Sequence, residues 1–432
     1  MSGHNDNVSL FYTPVKDTSV KSIEWVEYRP VGQLNSEGAL EFNVSGNSTK
    51  YMDLQNTRLK IKFRILQGNG QTLPPSTVEG KPTPEAAKVG PVNLFLQTMW
   101  RQVDVSLQQQ VVSPNVATNY PYKAYIETLL NYGYDAKISK LQSQLYYKDE
   151  IDPSNPDPIN GSNDGLLLRS AFTGQSKIVD LEGPVYMDIC QQNRYILNGV
   201  QVNLKFWPST NQFKLMSPRT SSDYKIEIKE AILKMCMIEV APEVVVAHAE
   251  TLQHGPAKYF YPRSDVKSFA IARGQYSTCL EDIYHGEVPN QVVIGFVSSE
   301  AFMGNYTKNP LYFQTYNCNF IGFYVDGKSM PAEPLTPNYG AQNYLSAYMT
   351  LFGDNSNFGN YISRDEYLKG YCLYMFDICQ NNCDKFVQNV RRGHTRLEVK
   401  FSEALPEAVT MIIFAKFPGM LEIDQTRNVK IM

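Results

Sequence analysis

Cysteine, tryptophan and histidine are scarce in this sequence, whose 432 residues include seven, three and five of them respectively. Seven cysteines are too few to hold a chain of this length together, which excludes a scaffold built on disulfides. Charges of the two signs are nearly balanced, since 40 basic and 43 acidic side chains leave a formal net charge of only -3. This balance argues against a nucleic-acid coat built on a basic arm and against a polybasic membrane anchor.

Long apolar runs are absent as well. The strongest, 409–414 and 244–247, are far shorter than the roughly 20 residues that a membrane-spanning helix needs, so we expect no membrane span. The first eight residues, MSGHNDNV, have neither the basic flank nor the apolar stretch of a signal peptide, and we expect a chain that is not secreted. We therefore expect free thiols at Cys190, Cys236, Cys279, Cys318, Cys372, Cys379 and Cys383.

Tyrosine and phenylalanine are abundant, with 28 and 21 copies, and apolar residues alternate with polar ones in many short segments. In Arg58–Leu66 the side chains of Leu59, Ile61, Phe63 and Ile65 share one face, which is typical of a half-buried strand. The same pattern predicts strands at 40–44, 103–107, 200–206, 224–228, 292–297, 320–325, 397–401 and 410–414. Many strands separated by polar turns predict an all-β fold of sandwiches or barrels, with few helices.

Two long polar inserts interrupt the first half, at 67–93 and 149–165, and both contain several prolines. We expect both inserts to lie on the surface, since a buried loop could not satisfy its backbone polar groups. Asp152–Gly165 is dense in asparagine and aspartate, which raises calcium binding as an alternative. The segment does not match the twelve-residue calcium loop with its closing glutamate, and its composition favours a solvated loop.

Helical periodicity is clear in two places that match each other. The two apolar stripes are Tyr122, Tyr125, Ile126, Leu129 and Leu130 in the first half, and Ala341, Tyr344, Leu345, Tyr348 and Met349 in the second. Aligning Asn119-Tyr120 with Asn338-Tyr339 places Tyr125 on Tyr344 and Ile126 on Leu345. We therefore predict two equivalent helices, each packed through its stripe.

The segments after these helices repeat in the same order. A strand ending in Lys-Phe occurs at Val202–Phe206 and again at Leu397–Phe401, and each is followed by an apolar strand, from Ala231 and from Ala408. The order strand, helix, strand, strand occurs twice, which predicts a duplicated β-domain. A short connecting helix is expected at the junction, near Val240–His254.

One segment matches the phosphate-binding pattern G-x-x-x-x-G-K-S, from Gly322 to Ser329. That chemistry needs a flexible loop between a strand and a helix, whose N-terminal amides face the phosphates. Here the middle residues continue a strand, Asp326-Gly327 is typical of a tight hairpin turn, and Pro331 and Pro334 block a following helix. We interpret the segment as a hairpin.

The sequence contains no set of residues whose spacing is typical of a catalytic or metal-binding site. Cys372, Cys379 and Cys383, with His394 beyond, raise zinc as an alternative, but their spacing lacks the paired C-x-x-C knuckles of structural sites. Cys372 is in phase with the apolar residues of a strand, which favours a buried thiol. None of the five histidines lies in a metal or triad pattern. We predict no catalytic residue, no cofactor and no metal site.

Six long segments, spread over both halves in order, resemble the major capsid protein of Polinton (Maverick) elements and their adintovirus relatives. They are 89–114, 120–133, 248–259, 309–331, 362–378 and 405–429. The resemblance covers the chain from about Ser22 to Val429. It implies a double jelly roll, that is, two tandem eight-stranded antiparallel jelly rolls with a few short helices in the loops between strands. On this basis we expect an N-terminal arm at 1–21, a first jelly roll at 22–240 and a second at 241–432.

The resemblance also implies a function. The expected protein is a structural major capsid protein whose homotrimers are pseudo-hexameric capsomers of an icosahedral shell around double-stranded DNA. Its partners would be further copies of itself and penton and minor capsid proteins, with no direct sequence-specific binding of nucleic acid. It would be made in the host cytoplasm or nucleus and would reside in the virion capsid.

Within the N-terminal arm, Leu10, Phe11 and Tyr12 are the one apolar cluster. We expect this cluster to dock on a neighbouring subunit in the shell, although a terminal arm without any contact is the alternative. Two other functions stay open for a tandem jelly roll with many tyrosines. One is glycan binding and the other is hydrolysis of amides or glycans, and both are typical of secreted proteins.

Overall fold

A computed structural model of the chain describes residues 18–34, 38–75, 83–113, 119–220, 223–352, 360–378 and 390–431. Ten strands lie before residue 241: β1 (Val20–Tyr28), β2 (Leu40–Val44), β3 (Lys50–Gln67), β4 (Gly90–Pro91), β5 (Trp100–Leu107), β6 (Gln110–Val111), β7 (Val179–Pro184), β8 (Val202–Pro208), β9 (Leu215–Met216) and β10 (Tyr224–Val240). Eleven follow: β11 (Ala257–Ile271), β12 (Ser277–Glu281), β13 (Glu287–Val288), β14 (Gln291–Ser298), β15 (Cys318–Val325), β16 (Lys328–Ser329), β17 (Leu373–Asp377), β18 (Arg391–Arg392), β19 (Thr395–Phe401), β20 (Val409–Ile423) and β21 (Val429–Ile431).

The helices are short and lie between the strands. They are α1 (Phe95–Thr98), α2 (Tyr120–Asn131), α3 (Tyr134–Lys137), α4 (Asp164–Thr173), α5 (Asn211–Lys214), α6 (Pro242–Leu252), α7 (Ser299–Met303), α8 (Leu345–Met349) and α9 (Arg364–Tyr367). Short 3-10 turns occupy Glu85–Ala87, Lys140–Gln144, Gly174–Ser176, Asp188–Gln191 and Thr350–Phe352. Among the described residues, none of these helices combines the length and apolar character needed to cross a membrane.

The two halves of the chain have the same strand order. The first half has the sheets β1-β10-β3-β7 and β2-β8-β5-β6, and the second has β11-β20-β14-β17 and β12-β19-β15-β16. Counting only these strands along each half, both halves therefore have one sheet in the order 1-8-3-6 and another in the order 2-7-4-5. All of the pairings are antiparallel. Two such four-stranded sheets form a jelly roll, so the all-β fold with two eight-stranded jelly rolls is confirmed.

Strand β3 illustrates why the sequence forms these sheets. Leu59, Ile61, Phe63 and Ile65 are buried, at most 2% exposed, and face the core of the first jelly roll. The opposite face of the same sheet carries cross-strand ion pairs, such as Lys62 with Glu230 at 2.6 Å and Arg64 with Glu227 at 2.5 Å. Alternation with period two thus places one face in the core and one in water.

Strand β10 is longer than the sequence suggests. The segments 224–228 and 231–240 were expected to be separate strands, but they form one strand that pairs with β3 throughout. The register shifts between Ile228 and Glu230. A bulge at this point lets the pairing continue past the interruption in the apolar pattern, which is why the pattern looks like two strands.

The two predicted helices differ in the structure. The first prediction is confirmed, since α2 covers its whole stripe and buries almost all of it. The second is wrong in extent and face: α8 begins only at Leu345, and Leu345 and Met349 are 49% and 54% exposed. The preceding residues form a closed turn, in which Asn338 and Asn343 exchange two backbone hydrogen bonds of 2.7 and 2.8 Å. A helix cannot begin inside that turn.

The segment between the halves is the helix α6, which confirms the prediction of a short connecting helix near 240–254. Pro242 occupies its first turn, where its missing amide hydrogen costs nothing. The exact division of the chain at 240 and 241 stays a prediction. The buried apolar residues form one contiguous core through both halves, so the two jelly rolls are packed directly against each other.

Candidate assembly surfaces

The phosphate-loop pattern is a hairpin, as interpreted from the sequence. Tyr324 pairs with Ser329 and Val325 with Lys328, so β15 continues to the turn and β16 returns from it. Asp326 and Gly327 both have positive φ, 49° and 79°, which is the geometry of a tight two-residue hairpin turn. Between this turn and α8 no helix occurs in the described chain. A phosphate cradle therefore does not form here.

The structure describes only part of the cluster for which zinc was the alternative, namely Cys372 and His394. Cys372 is fully buried, burial raises the pKa of its thiol, and the hydroxyl of Tyr339 lies 3.6 Å from its sulfur. Cys379 and Cys383 lie outside the described residues. Of the five described cysteines, Cys279 alone is exposed, and all five are free. In the part of the chain that the structure describes, no group of three or more potential metal ligands occurs.

The expectations of a surface insert at 149–165 and of a solvated loop at 152–165 are wrong for part of that insert. Asp149, Pro153 and Asn163 are buried. The side-chain amide of Asn309 in the second half donates to the backbone oxygen of Pro153 at 2.9 Å, and the hydroxyl of Tyr371 donates to that of Asp149 at 2.8 Å. These partners from distant sequence satisfy the polar groups of the loop, which is how it can be buried. The insert forms part of the contact between the two jelly rolls.

A buried ion pair stands at the centre of this contact. The side chains of Arg169 in α4 and Asp149 are 0% and 1% exposed, and their atoms Nη2 and Oδ1 are 2.8 Å apart. Arg169 also donates to the backbone oxygens of Pro91 and Tyr147, at 2.9 and 2.6 Å. The guanidinium thus has partners for several of its N–H groups, as a buried arginine requires.

A second buried network ties α2 to the second half. Lys123 donates to Glu127 at 2.7 Å and lies 3.1 Å from Asp188. Asp188 in turn accepts hydrogen bonds from the backbone amide and the hydroxyl of Ser264 in β11, at 2.7 and 2.6 Å. Burial alone would lower the pKa of Lys123, but the charges of Asp188 and Glu127 outweigh it and raise the pKa. The lysine is therefore charged and acts as the cation of a buried triad.

Two lysines of the first half donate hydrogen bonds to the segment 360–366 of the second half. Lys148 donates to the backbone oxygen of Tyr361 at 2.8 Å and to Glu366 at 2.7 Å. Lys137 donates to the backbone oxygen of Asn360 and, at 2.8 Å, to that of Leu129 near the end of α2. Burial lowers the pKa of Lys137 to about 7, and the positive charge of Lys148 acts in the same direction.

The free edge of β11 is covered by the first jelly roll. Three of its backbone groups bond to first-half side chains: the amide of Ser264 to Asp188, the oxygen of Val266 to Asn119 at 3.3 Å, and the oxygen of Lys258 to Arg194. Helix α2 packs beside this strand and its neighbour β20. We call this set the intrachain contact. It protects an edge strand that would otherwise be open to pairing.

The corresponding edge of the first jelly roll has no such cover among the described residues. Strand β1 is the first strand of its half, and β10 is its one partner among the described strands. Within the described residues, no side chain bonds to the backbone of Val20–Tyr28, and Ile23 and Trp25 are 60% and 47% exposed. Leu345 and Met349 on α8 form a second exposed apolar pair. We call these the β1 edge and the α8 face.

The predicted docking cluster Leu10, Phe11 and Tyr12 lies outside the described residues, so its role stays a prediction. The sequence interpretation did not identify the buried charges. One signal was present: Lys123 and Glu127 are the only charged residues of α2 and are four residues apart, which is the spacing of a helical ion pair. Nothing local marks Asp149 or Arg169.

Comparison with known proteins gives one relative and several solved structures. No family model matches the chain. An uncharacterised protein of Caenorhabditis elegans is 24% identical over 427 residues, which is 96% of this chain and 98% of that protein.

The solved structures share the fold at low sequence identity. A chain of the Sputnik virophage structure has a TM-score of 0.65 at 10% identity, over 100% of this chain and 92% of that one. The major capsid protein of Faustovirus has a TM-score of 0.57 at 10% identity (96% and 92% covered), and that of mavirus 0.53 at 11% (100% and 95%). The match spans both jelly rolls, so the chain has the double jelly-roll fold of these capsid proteins.

Proposed function

We propose that this protein is the structural subunit of an icosahedral capsid that encloses double-stranded DNA. The observation that carries the proposal is the pair of jelly rolls with identical strand order, joined through the buried contact described above. Full-length similarity in fold to several major capsid proteins supports it. We assign the protein no reaction, cofactor or metal.

The proposed assembly unit is a homotrimer. Each copy would contribute two similar jelly rolls, divided near 240 and 241 after an arm at 1–21, so that three copies give a pseudo-hexameric tile. A head-to-tail contact that closes after three copies leaves no unpaired surface. Further partners would be penton and minor capsid proteins, and the arm residues Leu10, Phe11 and Tyr12 would dock on neighbouring subunits.

We further propose that the chain comes from a Polinton-type element or an adintovirus relative. The six long segments that resemble that family support this origin, and so does a relative of matching length in an animal. The place of the protein would then be the virion capsid, after synthesis in the host cytoplasm or nucleus without secretion.

Mass and shape of the purified protein test the proposal. Three chains of 49.0 kDa should give about 147 kDa in light scattering, and the contact should persist on dilution because obligate interfaces commonly bury more than about 2,000 Å². Negative-stain electron microscopy should show hexagonal particles. A monomer at micromolar concentration in ordinary salt would contradict the capsid function and favour a glycan-binding or hydrolytic tandem jelly roll.

A further inference from the structure

We infer that the α8 face of one copy packs against the β1 edge of the next copy, and that this contact repeats the intrachain contact between α2 and β11. The inference rests on the proposed trimer and adds the residues through which it closes. It follows from comparing the two jelly rolls, which have the same strand order but different exposure at these two places.

The helices α2 and α8 occupy the same position in the two jelly rolls. Each lies in the connection between the fifth and sixth strands of its half. Aligning Asn119 with Asn338 places Ile126 on Leu345 and Leu130 on Met349. Ile126 is fully buried and Leu130 is half-buried, whereas Leu345 and Met349 are about half exposed. Within the part of the chain that the structure describes, the α8 face therefore lacks the cover that its counterpart has.

The strands β1 and β11 are equivalent in the same way. Each is the first strand of its half and the edge strand of the 1-8-3-6 sheet. The edge of β11 is covered by Asn119, Asp188 and Arg194 from the first jelly roll. The β1 edge has no such cover in the described chain, although it carries the exposed side chains of Ile23 and Trp25.

Among the described residues, each copy has one β1 edge and one α8 face without cover, so a second copy is an occupant that suits both. In a closed ring every α8 face would meet a β1 edge and none would be left over. Burying four large apolar side chains and an open strand edge removes surfaces that favour association with other proteins.

Photo-crosslinking tests this contact directly. The full chain would carry p-benzoylphenylalanine in place of Leu345, and isotopically heavy and light copies would be mixed before trimer formation. We expect crosslinked peptides that join position 345 to residues 20–28 of a different copy. The control position is Leu168 on α4, which is exposed to a similar extent, 53%, and should not crosslink to β1. Crosslinks from position 345 to another surface, or within one copy, would overturn the inference.

Two variants test the energy of the contact. Leu345→Asp and Trp25→Asp should each raise the concentration at which trimers dissociate by at least tenfold, whereas Leu168→Asp should leave it unchanged. Circular dichroism and thermal unfolding of each variant would confirm that it folds. Trimers that withstand both substitutions would overturn the inference and leave the proposed function standing, whereas a wild-type monomer would overturn the proposed function itself.

Discussion

The carboxylate of Asp149 and the guanidinium of Arg169 form an ion pair, 2.8 Å long, between side chains that are 1% and 0% exposed. Asp149 also accepts from Asn309 at 3.3 Å, and its backbone oxygen accepts from Tyr371. One residue of the first jelly roll thus joins a helix of its own half to two residues of the other half. Asp149 therefore links this ion pair of the first jelly roll to the second jelly roll.

Replacing Asp149 by Asn should therefore be strongly destabilising. It leaves the positive charge of Arg169 buried without its counter-ion, which costs about 3–5 kcal/mol of the free energy of unfolding. Urea denaturation would measure the loss. The matched control is Glu230→Gln, which breaks the partly exposed pair with Lys62 and should change stability little. Equal effects of the two substitutions would contradict the role assigned to Asp149.

Lys137 gives the stability of the protein a specific dependence on pH. Its folded-state pKa is lowered to about 7, whereas an unfolded lysine has a pKa of about 10.4. Between these values the unfolded chain binds more protons, so the free energy of unfolding rises with pH, by at most about 1.4 kcal/mol per pH unit. Below pH 7 both states are protonated, so this dependence on pH is absent and the full cost of burying the charged lysine remains.

The test compares wild type with Lys137→Met from pH 7 to pH 9, by urea denaturation at each pH. The difference in stability between the two proteins should grow in favour of wild type as the pH rises, because the variant has no proton to release on folding. The charged groups beside Lys137, Lys148 and Glu366, are the same in both proteins. A difference that is constant with pH would contradict the lowered pKa.

Local patterns in the sequence predicted the strands and the turn but not the contact between the jelly rolls. Alternation placed Ile61 and Phe63 in the core, and Asp326-Gly327 predicted its hairpin, because both depend on neighbours within a few residues. The polar insert around Asp149 looked solvated, since composition does not show that partners 160 and 222 residues away satisfy it.

The prediction of the second helix was wrong for a related reason. The periodicity of Ala341–Met349 is helical, yet the turn closed by Asn338 and Asn343 takes up its first half. The remaining helix exposes Leu345 and Met349, which the stripe had placed in the core. An apolar stripe indicates that a face is covered. It does not indicate whether the cover comes from the same chain, and here we propose that another copy provides it.

Because residues 326–327 form a hairpin turn, we predict that nucleotides do not change the thermal stability of the protein. Lys328 is exposed and starts the returning strand, so Lys328→Ala removes no phosphate ligand. Thermal unfolding of wild type and variant should be unchanged by ATP with Mg²⁺. A rise in melting temperature with the nucleotide, lost on substitution, would contradict the hairpin interpretation.

The N-terminal arm should matter for the shell and not for the trimer. Deleting residues 2–18, which precede β1, should leave the trimer mass in light scattering unchanged and lower the yield of assembled particles. Replacing Leu10, Phe11 and Tyr12 together by serine should have the same effect, because their apolar surface would provide the docking energy. The control replaces Asn5, Asp6 and Asn7 by serine. Full particle yield from the deletion would show that the arm makes no contact.

Gly295 in β14 should tolerate no side chain, because two side chains of its own jelly roll already fill the space beside it. A Cβ atom there would come within 2.5 Å of the Phe313 ring and 2.8 Å of Leu373. The Phe313 ring stacks on Tyr125 of α2, with centroids 6.3 Å apart, so displacing it would also disturb the contact between the halves. Overpacking of this kind costs about 1–3 kcal/mol. Urea denaturation of Gly295→Ala should show that loss of stability. The control, Gly255→Ala, has open space around its Cβ position and should be as stable as wild type. Equal stability of the two variants would contradict the prediction, because it would mean that the Phe313 ring moves aside without cost.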